Sequence, residues 1–214
     1  MGASHGTRTR PVRPRAAIGF MVKSGWASAV LVAGSATAPR VVDSRRIELS
    51  DPAILDSRQP FHAGFGTARS GGPQLTRLVV SVKRFGRRSV TDVIRQYRNS
   101  GHTLRGVGIV VGSLIDPARI TNEHIRIHAL EGQLFRSVVE DAAVGSKMAR
   151  SIWRERDLHA LAVNVLKLPE QKLRGILTAL GRELPGSWRA EEKAATLAAW
   201  LVLAPRGPKE RKTI

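Results

Sequence analysis

No cysteine occurs in the 214 residues. Disulfides, thiolate nucleophiles and cysteine-held zinc therefore play no part, and the composition suits a reducing cytoplasm. No uninterrupted apolar run approaches the roughly 20 residues that cross a bilayer. Nor does an apolar h-region with a cleavage site follow the basic N-terminus, so no membrane partner and no secretion are expected. Aromatic residues are scarce at 5%, and so are acidic ones: 17 Asp plus Glu face 35 Lys plus Arg, a formal net charge of +18. Such a surplus attracts polyanions, nucleic acid or an acidic surface. It is spread along the chain, however, as the solvated faces of an arginine-rich protein would also be. Neither an internal repeat nor a phosphate-cradling glycine loop is present. What remains is 42% apolar residues, enough for one domain with a proper core.

Residues 1–15 (MGASHGTRTRPVRPR) hold almost no apolar material and read as a disordered basic arm. Residues 205–214 read as a matching basic tail, leaving a single domain over residues 16–204. Within it, AAIGFMVKS, GWASAVLVAG and RVVDSRRIEL form three short runs separated by turn residues, the pattern of an antiparallel meander. The third alternates poorly and suits an edge strand. Residues 50–73, rich in Pro and Gly, read as one long loop carrying Phe61, His62 and Phe65. A helix-spaced stripe over Gln74–Asn99 follows, with Gly86 a candidate break and Gly101 its terminator. On it, Lys83, Arg84, Arg87 and Arg88 surround Phe85 and could grip a phosphate backbone, or simply face solvent. LRGVGIVVGS reads as a buried strand. A strand, a helix and another buried strand imply a parallel crossover, so the class is α/β with a mixed sheet. Met148–Trp153 suits one more short strand, and Asp157 a helix N-cap. Helices over Leu158–Leu166, Pro169–Leu180 and Glu191–Leu203 fill the C-terminal third, the last apolar nearly all round and so buried against the sheet.

The densest set of titratable groups lies on the helix Thr121–Ala143. Ile127, Leu130, Leu134, Val138 and Ala142 give it a core face. His124 and His128 stand four apart and Glu131 three beyond, all on one side. Two imidazoles and a carboxylate so spaced can ligate a divalent metal. Alternatively Glu131 orients His128 as a general base, with Arg136 clamping a phosphate and His62 nearby. A purely structural pairing of His128 with Glu131 at the core boundary accounts for the same residues. No cofactor is specified by any of these patterns. Gly132 beside them suggests a crowded spot where another backbone approaches, since glycine costs about 1 kcal/mol in a helix interior.

The order meander, helix, strand, helix, short strand and alanine-rich closing helix resembles ribonuclease H-like folds, the Holliday-junction resolvase family in particular. The chain also resembles an uncharacterised bacterial family of that fold through four segments: SGWA (Ser24–Ala27), QPxH (Gln59–His62), IHxxEGxLxR (Ile127–Arg136) and KxAxLAAWL (Lys193–Leu201). The resolvase resemblance implies acidic metal ligands on the first strand, after the fourth strand and on the last helix. Here the first strand carries no carboxylate, Asp116 lies several residues past the fourth, and only Glu191 and Glu192 stand near the closing helix. Two functions remain in view. One is a ribonuclease H-like domain acting on nucleic acid through a rebuilt His/Glu/Arg site. The other is a non-catalytic module for nucleic acid or protein.

Overall fold

A computed structural model describes residues 13–64, 67–182 and 184–205. Most of the expected basic arm, nearly all of the expected tail, and Phe65 lie outside the described residues. The arm reading fails at its inner end: Arg15 opens the first strand, and the Pro14 carbonyl accepts from Thr103 N at 3.0 Å.

Strands β1 (Arg15–Lys23), β2 (Trp26–Gly34) and β3 (Pro39–Glu48) form the expected meander. The loop that follows is more ordered than its composition suggests. It contains a 3-10 turn (Leu55–Arg58) and a small ribbon of β4 (His62–Gly64) against β5 (Thr67–Ala68). Helix α1 (Pro73–Asn99) then leads to β6 (Thr103–Val111), α2 (Glu123–Gly145) and β7 (Arg150–Arg154). The chain closes with α3 (Glu155–Leu166), α4 (Glu170–Leu180) and α5 (Ala190–Leu203). The main sheet runs β3-β2-β1-β6-β7. The meander pairs antiparallel, while β6 lies parallel to both β1 and β7, so the sheet is mixed and β3 is an edge.

β1 is apolar throughout because helices cover both of its faces. Ile18, Phe20 and Val22 pack with Leu31, Ile109, Val138 and the rest of the α1–α2 layer. Ala17 and Met21 pack toward α3, α4 and α5. On that second face the closing helix comes very near. A Cβ built on Gly19 would fall 1.7 Å from the Ala195 carbonyl oxygen, and one on Gly108 would fall 2.6 Å from that of Ala198. The alanine-rich sequence of α5 is thus the partner of a glycine-bearing strand pair. Trp200 anchors the helix by donating from Nε1 to the Ala36 carbonyl at 2.8 Å.

Three local expectations are corrected. α1 runs unbroken through Gly86, which is buried; a Cβ there would meet Val138 Cγ1 at 2.6 Å and the Leu49 carbonyl oxygen at 2.7 Å. That glycine serves close packing, not a break. α3 begins at Glu155 with Arg154 as its N-cap residue, so Asp157 sits inside the first turn. There its carboxylate still complements the helix dipole. Finally, nothing approaches the Cβ position of Gly132 within 4 Å, and the residue is exposed, so the helix is not crowded there.

Candidate functional site

α2 starts at Asn122, whose side chain accepts from Ile125 N at 3.0 Å. Ile127, Leu134 and Val138 hold it to the core. Glu131 falls four residues after Ile127 and three before Leu134, on the same inward stripe. That is why a carboxylate comes to be 0% exposed. Its Oε1 pairs with His62 Nδ1 at 2.8 Å. Its Oε2, equally buried, has no hydrogen-bond partner among the described residues. Burial pushes the Glu131 carboxyl above its ordinary range; the His62 hydrogen bond and charge, then the Phe61 amide and the Ser24 hydroxyl, pull the other way.

His62 is delivered by the loop. Its own N–H donates to the Gln59 carbonyl at 3.0 Å, closing a turn around Pro60. Arg69 locks that turn from the other side, donating from its backbone to Phe61 O at 2.7 Å and from its guanidinium to Pro60 O at 2.8 Å and Asp56 at 3.2 Å. The start of the loop is tied to the β1–β2 turn, where Gly25 at φ +82° offers its carbonyl to Leu49 N, Ser50 N and Ser50 Oγ. Three separate sequence segments, around Ser24, His62 and Glu131, therefore meet at one end of the sheet.

His128 stands one turn before Glu131, exposed at the mouth. Its ring lies 5.1 Å from that of His62 and 4.6 Å from that of His124. His128 Nε2 and His124 Nε2 are 3.3 Å apart. Desolvation first, then the neighbouring His124 and His62, holds His128 below the ordinary imidazole range, favouring the neutral ring. An open groove of about 1090 Å³ runs past His62 and His124, edged by Leu55, Arg58, Gln59 and Arg69. A smaller pocket of about 330 Å³, between the ends of β1 and β6 and α2, is lined by Ser24, Ser113, His128 and Arg136.

This geometry reassigns the roles read from spacing. Glu131 pairs with His62, 69 positions away, and not with His128. Arg136 pairs with Glu140 at 3.1 Å and lines the smaller pocket together with His128. Ser24, Arg58 and Arg69 join the site. Ser24 belongs to the SGWA segment, whereas nothing local in the sequence separates Arg58 or Arg69 from other surface arginines. Lys83, Arg84, Arg87 and Arg88 are all exposed on the outer side of α1, with Phe85 half-buried among them and Arg88 reaching Asp92 at 4.0 Å.

The chain is similar in structure to RuvC of Thermus thermophilus. The likeness to RuvC in complex with a Holliday junction substrate has TM-score 0.51 at 12% identity over 87% of this chain and 91% of that one. A second RuvC structure from the same organism gives TM-score 0.50 at 10% identity over 87% and 92%. These likenesses give the fold: a ribonuclease H-like α/β domain. No protein-family model matches the sequence, and no curated protein matches it either.

The acidic metal ligands of that fold's nucleases do not fit here. β1 turns Ala17, Gly19 and Met21 toward α5, with Gly19 filled by the helix backbone. Asp116 caps the 3-10 turn Pro117–Arg119, accepting from Ala118 N at 3.1 Å. Glu192 closes the capping box of α5, accepting from Arg189 N at 2.8 Å, with Ser28 Oγ 3.5 Å away. No described helix is long and apolar enough to cross a membrane.

Proposed function

We propose that the chain is a ribonuclease H-like protein that binds nucleic acid along α1 and acts on it at a centre formed by His62, Glu131 and His128. The observation that carries this reading is the fully buried Glu131 carboxyl held against His62 at an open groove. A buried carboxylate costs several kcal/mol to desolvate, and a purely structural position four residues from Ile127 would be filled better by leucine. A carboxylate against one imidazole nitrogen fixes the tautomer and leaves the other nitrogen free for chemistry. Arg58, half-exposed on the groove wall, supplies a cation for phosphate.

α1 begins just past Arg69 and carries Arg77, Lys83, Arg84, Arg87, Arg88, Arg95 and Arg98 against a lone acid, Asp92. A face so charged favours a polyanion through counterion release. RuvC was solved with a Holliday junction, so a four-way DNA junction is the first probe to use, beside duplex DNA and single-stranded RNA. The Arg84→Ala/Arg87→Ala/Arg88→Ala variant weakens binding of these probes. It also lowers the slope of log K against log salt by about 0.9 for each phosphate no longer neutralised. Binding unchanged in that variant sinks the α1 half of the reading.

A second reading draws on exposed apolar side chains. Leu114, Ile115 and Ile125 are all exposed near the smaller pocket, which suits docking of a protein partner. It predicts that His62→Ala leaves any nucleic-acid processing untouched, while Ile115→Ser abolishes docking of the partner.

A further inference from the structure

We propose that His62, His128 and Glu131 hold a single divalent transition-metal ion of the zinc type, open toward the groove. The inference rests on the reading of this cluster as the functional centre, and names what that centre carries.

One donor atom from each of the three side chains lies within 4.8 Å of the others. A tetrahedral ion with bonds of 2.0–2.1 Å sets its ligands about 3.3 Å apart. The His62 nitrogen and the Glu131 oxygen, at 2.8 Å, are already close to that spacing. His128 sits on the exposed second turn of α2, with a donor nitrogen inside the same 4.8 Å. An independent observation points the same way. Glu131 Oε2 is buried with no hydrogen bond of its own among the described residues; the Phe61 amide and Ser24 hydroxyl act on the carboxyl, and a cation would satisfy the remaining oxygen directly. An ion taken by both oxygens of the Glu131 carboxylate, between the two imidazoles, would meet it.

The donor set selects the metal. Two imidazoles and one carboxylate suit zinc or a similar first-row ion, whereas magnesium prefers oxygen ligands and retained waters. Two histidines and one carboxylate also leave a fourth position, which on the exposed side belongs to water or substrate. His124, with Nε2 at 3.3 Å from His128 Nε2, stands where it can take up that position or orient His128.

This ion is separate from the metal pair of the nucleases sharing the fold. Its ligands come from β4 and α2, on the α1–α2 side of the sheet, and not from β1 and the closing helix.

The test is calorimetric titration of the metal-stripped full chain with zinc chloride alone, repeated with magnesium chloride. One zinc binds per chain, magnesium binds far more weakly, and zinc raises the unfolding temperature. His128→Asn, at an exposed position that does not threaten folding, weakens zinc at least about tenfold, as does His62→Asn. His102→Asn, on the β6 approach, leaves it unchanged. Absence of zinc binding above the level of His128→Asn overturns the proposal, as does an equal loss in His102→Asn. The two readings fail separately. No zinc bound, with nucleic-acid processing still lost in His62→Asn, removes the ion and keeps the centre. Zinc bound tightly, with processing unaffected by either variant, removes the centre's role in processing and keeps the ion.

Discussion

The two faces of the main sheet are packed by opposite means. Toward α5, strands β1 and β6 present glycine, and the helix backbone settles onto them through Ala195 and Ala198. Toward α1 and α2 they present Ile18, Phe20, Val22, Ile109 and Val111, and the helices stand further off behind larger side chains. The first face has no room for a ligand-bearing side chain on β1 beneath α5. The second has room at its end, and there a carboxylate has been taken inside. The resolvase resemblance implies acids on the first strand and the last helix, elements that here pack on each other as β1 and α5. In this chain the α5 backbone fills the space over Gly19 on that side, and the buried Glu131–His62 pair lies across the sheet. A shared topology can carry different sites, because a site needs a face that is left open.

Loading the closed face is the sharpest way to break the comparison. Gly19→Val forces a side chain into the Ala195 carbonyl and lowers stability by about 3 kcal/mol or more, measured by chemical unfolding. A loss under about 1 kcal/mol shows that the α5 face is loosely packed.

The open face is tested by pH. Burial raises Glu131, so folding favours its protonated form. The stability this contributes is full below the ordinary 4.5 and is lost as pH climbs through the raised value. Wild-type stability should therefore decline relative to Glu131→Gln as pH rises above that range, seen as diverging urea midpoints. Parallel midpoints would show that Glu131 is solvated or fully compensated by His62. The smallest effect is expected at Gly132, where nothing lies within 4 Å of an added Cβ. Gly132→Ala gains about 0.5–1 kcal/mol from helix propensity, and a loss there would mean that α2 is crowded after all.

Much of the architecture is legible in the sequence because it is written in short-range patterns. The meander, the poorly alternating edge strand β3, the buried β6 and the all-round apolar α5 follow from period and composition alone. Local patterns mislead where the deciding neighbour is distant in the chain. Gly86 looks like a helix break until Leu49 and Val138 come against it. His62 and Glu131 are 69 positions apart, and no periodicity links a loop histidine to a helical glutamate. One telling signal is local. Arg136 and Glu140 are four apart, the spacing of a helical ion pair, and that pair engages the arginine. Glu131 also carries a visible clue, since it shares the inward stripe of Ile127, Leu134 and Val138.

The central claim is that function resides at the His62–Glu131–His128 end of the sheet and not on the α5 side. It is tested most directly by assaying cleavage of a four-way DNA junction, duplex DNA and single-stranded RNA by wild type, His62→Ala and Glu192→Gln. The account predicts cleavage of at least one substrate by wild type, a loss of about 100-fold or more in His62→Ala as for removal of an acid–base group, and near-wild-type rates in Glu192→Gln. Cleavage lost in Glu192→Gln and retained in His62→Ala would contradict it, as would no cleavage of any substrate by the wild-type protein.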